Sequence, residues 1–496
     1  MLPGPRSLSA LILTLAAVLV HGEATAQDPV SFLTEEMLFH PRADGVTLTL
    51  MPAEDAVLMV EYGAPRSWRR TPRQVVSAGE LAVFDLGDLW PDGSFGYRVL
   101  AGRPGERELL PRAVHGFRTL RSPGASFTFA ITGDSHAWSV YSQDTCVGSG
   151  FPLPTSWKIL RESLRSLRDD PDLDFVVMGT DNAMTKCAAC KACPVDGLPT
   201  SNGDADDQLD ADLRYRALLS PKIYGIFGAD LPMLYMLGDH DGEQGWPEVA
   251  GIKALSLPAR LKHMPNAYES YGDTLGAAPQ GNWYAFETGD VLVVALDPSA
   301  RTPTQPTSPQ DWTLGERQLD WLIHTLASSR ATFKIVLSEH LLGGVSDPAV
   351  PFWKGRGGLT ATTNGQINGE FSGEQSIIHE ALKEYGAQLF MTFHDHVVVW
   401  GEKVDENFAP EGVIYAIGGR SSGIAHNWTN LTWYQKAMDY DGDGVPEYMT
   451  GTTGTRAPGW FKVTVDGRDS MHMQYLRSST NPALNGQEVL SFTILP

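Results

Sequence analysis

Eight apolar runs of strand length recur through the larger, C-terminal part of the chain, and most of them stop abruptly at aspartate or histidine. The runs are Phe127–Ile131, Phe175–Met178, Leu231–Leu237, Val291–Leu296, Phe333–Leu337, Leu389–Phe393, Val397–Trp400 and Val413–Ile417. A continuous apolar run, unlike an alternating one, belongs to a strand buried on both faces. Between the runs, apolar residues fall at helical spacing: Trp157, Leu160, Leu164 and Leu167, then Leu319, Leu322, Ile323 and Leu326, then Ile377, Ile378, Ala381 and Leu382. Buried strands alternating with amphipathic helices predict a layered α/β domain over 123–496. The stretches 138–156, 184–230, 242–280 and 343–372 read as loops.

The strand ends carry the chemistry. They read Gly133-Asp134-Ser135-His136, Gly179-Thr180-Asp181-Asn182, Gly238-Asp239-His240-Asp241, Ser338-Glu339-His340 and Phe393-His394-Asp395-His396. In layered α/β domains the crevice beyond the carboxyl ends of the strands is where ligands bind. One such cluster is an ordinary cap or loop hydrogen bond, but five at five strand ends are expected to converge on a single site. Aspartate oxygens and imidazole nitrogens without thiolates suit Mn, Fe or Zn. There are more donors than one ion needs, and two ions about 3.5–4 Å apart, bridged by a carboxylate, would use them.

These phrases resemble the calcineurin-like metallophosphoesterase superfamily, whose signature runs D-x-H, G-D, G-N-H-D/E, a lone His and G-H-x-H, each after a strand. Asn282-Trp283-Tyr284-Ala285-Phe286 and Glu316-Arg317-Gln318-Leu319-Asp320-Trp321-Leu322 are also similar to that superfamily. The resemblance implies a layered β-sandwich flanked by helices, the metallophosphatase fold. It implies two divalent or mixed-valence transition ions: one on Asp134, His136 and His396, one on Asp239, His340 and His394, with Asp181 bridging. His240 would lie beside them as general acid, with Asp241 orienting it. The implied reaction is hydrolysis of phosphate monoesters or diesters by a metal-bridging hydroxide. Alternatives are a phosphodiesterase acting on nucleotide or lipid head groups, and a catalytically silent module that binds metal or a surface partner. Four residues depart from the pattern. Asp239 stands in place of Asn and adds negative charge, Thr180 and Phe393 replace glycines, and Met184 occupies the position of the tyrosine that colours purple acid phosphatases.

Ahead of this domain, residues 37–120 read as short strands separated by turns, among them Val46–Leu50, Val57–Gly63 and Phe95–Leu100. The phrases Val60-Glu61-Tyr62-Gly63, Leu86 through Gly93, Tyr97-Arg98-Val99 and Phe117-Arg118-Thr119 resemble a fibronectin type III domain. The implied architecture is that of purple acid phosphatases: a small all-β sandwich in front of the phosphoesterase domain. Residues 1–26 read as a signal peptide, with Arg6 before the apolar run Ala10–Val20 and the small-x-small site Ala24-Thr25-Ala26. That run is too short to span a bilayer, so the mature chain is expected to be secreted or periplasmic, without a transmembrane segment.

Export makes disulfides the expected state of Cys146, Cys187, Cys190 and Cys193, with the connectivity open. The chain has 59 Asp+Glu against 38 Lys+Arg, a net charge of −21, which argues against stable nucleic-acid binding. Its expected substrate is a phosphorylated small molecule, lipid or nucleotide. Asp439, Asp441 and Asp443 with Glu447 match the start of a calcium loop, but Thr450 fills the twelfth position, so a structural Ca is weighed evenly against an acidic turn. Asp204, Asp206, Asp207 and Asp210 read as a solvated acidic loop. Arg420 and Arg356, each beside glycine, are candidate forked donors to phosphate, weighed against solvated surface charges.

Overall fold

The computed structural model describes residues 30–137, 155–186, 203–265, 282–299, 302–304, 313–339, 374–394, 396–404, 410–423, 448–449 and 455–496. The first part holds β1 (Met37–Arg42), β2 (Gly45–Leu50), β3 (Ala56–Ala64), β4 (Ser67–Arg70), β5 (Gln74–Val76), β6 (Ala82–Leu86), β7 (Ser94–Gly102), β8 (Leu110–Pro111) and β9 (His115–Arg118). There follow β10 (Phe127–Thr132), α1 (Thr155–Asp169), β11 (Leu173–Met178), α2 (Gln208–Leu218), β12 (Met233–Tyr235), α3 (Ala250–His263), β13 (Tyr284–Thr288) and β14 (Val291–Ala295). Next come α4 (Gly315–Ser328), β15 (Phe333–Ser338), α5 (Glu374–Glu384), β16 (Leu389–Thr392), β17 (Val398–Val404) and β18 (Pro410–Gly418). The chain ends on β19 (Tyr448–Met449), β20 (Gly459–Asp466), β21 (Ser470–Arg477) and β22 (Glu488–Ile494).

Two large sheets lie face to face. One runs β22-β21-β20-β10-β11-β12-β1-β2-β6 and the other β13-β14-β15-β16-β18-β17-β19. Alternation along single strands shows why the apolar runs are unbroken. Phe175 and Val177 of β11 enter the core between the sheets, while Val176 and Met178 pack outward against Trp157, Leu160 and Leu164 of α1. In the second sheet, Val291, Val293 and Ala295 point inward, and Leu292 and Val294 meet Trp321, Leu322 and Leu326 of α4. Each strand therefore buries both faces, which gives a layered α/β fold with helices outside two sheets. In α5, Ile378, Ala381 and Leu382 are buried as the spacing predicts, but Ile377 is 48 % exposed.

The strands before residue 120 do not stand apart from this sheet. β1 pairs in parallel with β12, Phe39 opposite Met233, so β1, β2 and β6 extend the nine-stranded sheet. A third sheet, β4-β3-β7-β8 with β5 and β9 attached, covers that extension around Leu38, Leu48, Phe84, Val60, Tyr97 and Phe117.

Two stretches expected to be loops contain helices. α2 buries Ala211, Leu213, Arg214, Tyr215, Ala217 and Leu218, which leaves no one-sided apolar stripe to read. α3 buries Ser256, Ala259, Arg260 and His263, a mostly polar face, and contains Pro258. The acidic stretch is likewise partly structured: Asp207 caps α2, and Asp210 is buried in an ion pair with Arg214 at 2.8 Å.

Candidate metal centre

The loops that follow β10, β11, β12, β15 and β16 meet at one edge of the paired sheets. The backbone there is unusual: His136, Asp181, His394 and His396 all have positive φ, between 43° and 56°. Non-glycine residues enter this region at an energetic cost, and such outliers concentrate at functional sites. The cross-ties that hold the loops are visible. His136 N–H donates to the Asp181 carbonyl (2.9 Å), and His240 N–H donates to Asp181 Oδ1 (3.0 Å). Gly238 has no alternative here, because a Cβ at that position would lie 2.2 Å from Asp181 Oδ1. Below, Tyr224 Oη donates to Asn182 Oδ1 (2.6 Å) and lies 2.9 Å from the Ser135 hydroxyl.

Three groups of donors, with ligand atoms within 4.8 Å of one another in each, form a continuous row. The first is Asp134, His136, Asp181 and His396. The second is Asp181, Asp239 and His240, and the third Asp239, Glu339 and His394. In the first group His136 Nε2 and His396 Nε2 approach to 2.8 Å. His136 Nε2 lies 3.2 Å from Asp181 Oδ2, and His396 Nε2 lies 3.1 Å from Asp134 Oδ2. In the third, His394 Nδ1 lies 3.3 Å from Glu339 Oε1 and 3.5 Å from Asp239 Oδ1.

The electrostatics mark a site short of positive charge. Burial, reinforced by Asp181, pushes the Asp134 carboxyl well above the usual carboxylate range. Burial does the same to Glu339, reinforced by Asp181 and Asp134. Burial also works to raise Asp181, but His240 and His136 hold it below its ordinary value. Burial pulls His136 down. Glu339 Oε2 is buried and has no hydrogen-bond partner among the described residues. Converging buried carboxylates, paired imidazole nitrogens and an open carboxylate oxygen fit a cation-binding centre.

His240 and Asp241 divide their work differently from the expectation. His240 Nδ1 lies 2.7 Å from the Lys186 carbonyl, and a carbonyl only accepts, so Nδ1 carries a hydrogen and Nε2 is the titrating atom. The orienting contact thus comes from Lys186. The Asp241 carboxylate accepts from the N–H groups of Asn182 (2.9 Å), Ala183 (2.7 Å) and Gly238 (2.9 Å), which stitches two site loops together. Burial, with Asp181 nearby, nevertheless pushes Asp241 up to about 7. Burial opposes the imidazolium of His240, but Asp239 and Asp181 outweigh it and raise its pKa.

Arg420 also departs from expectation. It is 5 % exposed and donates to the carbonyls of His396 (2.6 Å) and Ser422 (3.2 Å), which braces the loop of His396. Glu339 is the member of the donor row that the sequence signature passes over in favour of His340. His340, Arg356, the four cysteines Cys146, Cys187, Cys190 and Cys193, the calcium-loop candidates Asp439, Asp441, Asp443 and Glu447, and the leader 1–26 lie outside the described residues.

No protein-family model matches the sequence, and no curated protein does. Among solved structures the chain is similar to PhoD, with a TM-score of 0.64 and 13 % identity, covering 94 % of this chain and 90 % of that one. It is also similar to the purple acid phosphatase PPD1 from yellow lupin (Lupinus luteus) seeds, with a TM-score of 0.59 and 15 % identity, covering 95 % and 75 %. The chain therefore has a metallophosphoesterase-type fold.

Proposed function

We propose that this chain is an exported, metal-dependent phosphoesterase with a two-ion centre. The observation that carries the reading is the place of Asp181. It belongs to the His-rich donor group of Asp134, His136 and His396, and also to the group formed with Asp239 and His240. A carboxylate shared between adjacent donor sets is what a bridged pair of ions requires.

Asp134, His136 and His396 would hold one ion, Asp239 and His394 the other, with His340 as the ligand that the resemblance implies. Ions of the Mn, Fe or Zn class would supply Lewis acidity toward phosphoryl oxygens and a water acidic enough to attack near neutral pH. The chain's own residues would do the rest. The buried loops fix the donors, and Asp241 locks the loop of Asp181 to that of Asp239. His240, protonated on Nε2 and held by the Lys186 carbonyl, would hand a proton to the departing alkoxide. Nε2 lies 4.0 Å from Asp239 Oδ1, on the side of the donor row. Residues 37–120 are read as a fibronectin-like module ahead of the phosphoesterase domain, and 1–26 as a cleaved leader. Among the described residues no helix is long and apolar enough to cross a membrane.

The test is the metal content of the purified mature chain beside turnover of para-nitrophenyl phosphate and bis-para-nitrophenyl phosphate, with and without added Mn²⁺ or Zn²⁺. The reading expects near two transition ions per chain and metal-dependent turnover that falls by roughly 100-fold or more in His240→Ala. The ratio of the two substrates separates monoesterase from diesterase. Two bound ions with no turnover of either ester would instead favour a silent metal-binding module.

A further inference from the structure

Two buried carboxylates, Glu339 within the donor row and Asp241 on the loop beside it, are treated in opposite ways by the fold. Asp241 is fully buried, and both of its oxygens accept backbone N–H groups. Glu339 is equally buried, yet among the described residues only Oε1 is engaged: it accepts a long hydrogen bond from Asp239 N–H (3.4 Å) and faces His394 Nδ1 (3.3 Å). Among the described residues Oε2 has no hydrogen-bond partner. A carboxylate buried for structural reasons is satisfied on both oxygens, whereas one left half-satisfied is costly unless a cation completes it.

Local architecture holds Glu339 in that position. It follows β15 directly, and its carbonyl accepts from Phe393 N–H (3.3 Å), which ties it to the loop bearing His394. Asp239 approaches from the loop after β12. Three strand ends thus bring one ligand atom from each of Asp239, Glu339 and His394 within 4.8 Å of one another.

We propose that Glu339 is a ligand of the second ion, beside Asp239 and His394, and that this makes the two ion sites chemically unequal. The inference rests on the two-ion reading above. The first site, with His136 and His396 among its donors, is imidazole-rich. The second is dominated by carboxylate oxygen and is suited to a hard divalent cation such as Mn²⁺.

The experiment titrates the chelator-stripped full chain with Mn²⁺ and follows the free-ion electron paramagnetic resonance signal. The wild-type chain is expected to bind two Mn²⁺. Glu339→Gln is expected to keep one with unchanged affinity and to bind the other at least ten-fold more weakly. His136→Ala is expected to weaken the complementary ion, so the two variants lose different sites. The retained ion reports that Glu339→Gln is folded, and thermal melting of its metal-free form no lower than wild type provides a second check. Two ions bound by Glu339→Gln with wild-type affinities overturn this assignment alone. Loss of both ions from a chain that still melts normally overturns the placement of Glu339 at one subsite. A wild-type chain that takes a single Mn²⁺ overturns the two-ion reading and this proposal with it.

Discussion

Thr180 and Phe393 occupy positions where the superfamily resemblance implies glycine, and each is accommodated in a visible way. The Thr180 hydroxyl donates to Asp134 Oδ1 at 2.6 Å, so the added side chain becomes part of the support of a donor. Phe393 is fully buried in the intersheet core, and the space it needs is left by Gly418, where a Cβ would lie 2.5 Å from the ring. His40 presents a different residue-scale tension. Burial, with Arg42 alongside, pushes its imidazole down to about 3 from 6.5, and its φ is +50°. Between those pH values the unfolded chain binds a proton that the native chain refuses. Its contribution to stability is present above pH 6.5 and is lost as pH falls toward 3, by at most about 1.4 kcal/mol per pH unit. His40→Asn, which tolerates the left-handed backbone, should flatten that acid slope in urea-denaturation midpoints; equal slopes in both proteins would refute the assignment. What was legible at this scale is also clear. Asp134, His136, Asp181, Asp239, His394 and His396 stand out because each follows a run of buried strand. Glu339 stands in the same place, but histidine signatures draw attention to its neighbour, and only the fold shows its open oxygen.

Elements were legible where burial is apolar and one-sided. α1 declares itself through Trp157, Leu160, Leu164 and Leu167, all buried on one face. α2 does not, because it is buried nearly all round and part of what it buries is charged. Arg214, 3 % exposed, donates from Nε to Asp210 Oδ2 (2.9 Å), from Nη2 to the Gly203 carbonyl (3.0 Å) and from Nη1 to the Met184 carbonyl. α2 thus holds the backbone at Met184, three residues past Asp181, which links a helix with no readable stripe to the candidate metal centre. In α3 the same logic applies: Arg260 is fully buried against Glu243 at 2.6 and 2.9 Å, and these residues read as surface when taken from sequence alone. Arg214→Met keeps most of the volume but leaves the buried Asp210 carboxylate without its guanidinium. It should destabilise the chain by about 3–5 kcal/mol, the usual cost of breaking a buried ion pair from one side. Urea unfolding of the metal-free chain measures this, and a loss under about 1 kcal/mol would mean that the pair behaves as a surface contact.

Across the whole molecule, the composition shift near residue 122 divides the sequence into two parts, but the hydrogen bonding does not. The join is made by backbone pairing of β1 with β12, which leaves no side-chain pattern to read. Side chains then reinforce it: Tyr97 Oη donates to the Ala229 carbonyl (2.7 Å), while Arg118 (3.1 Å) and Arg121 (2.6 and 2.8 Å) both grip the buried Asp174 at the start of β11. β1 thus belongs both to the nine-stranded sheet and to the core it shares with β3 and β7. Removing the front strands would open a sheet edge beside β12 and expose backbone groups that nothing else pairs. The front strands and the rest of the two-sheet body should therefore unfold together. Scanning calorimetry of the metal-free full chain is expected to show one transition whose van't Hoff and calorimetric enthalpies agree. Asp174→Ala, which releases both arginines, should move that transition to lower temperature without splitting it. Two resolved transitions in the wild-type chain would show that the shared sheet does not couple the halves. A split seen only in Asp174→Ala would place the coupling in the arginine clamp instead of the β1–β12 pairing.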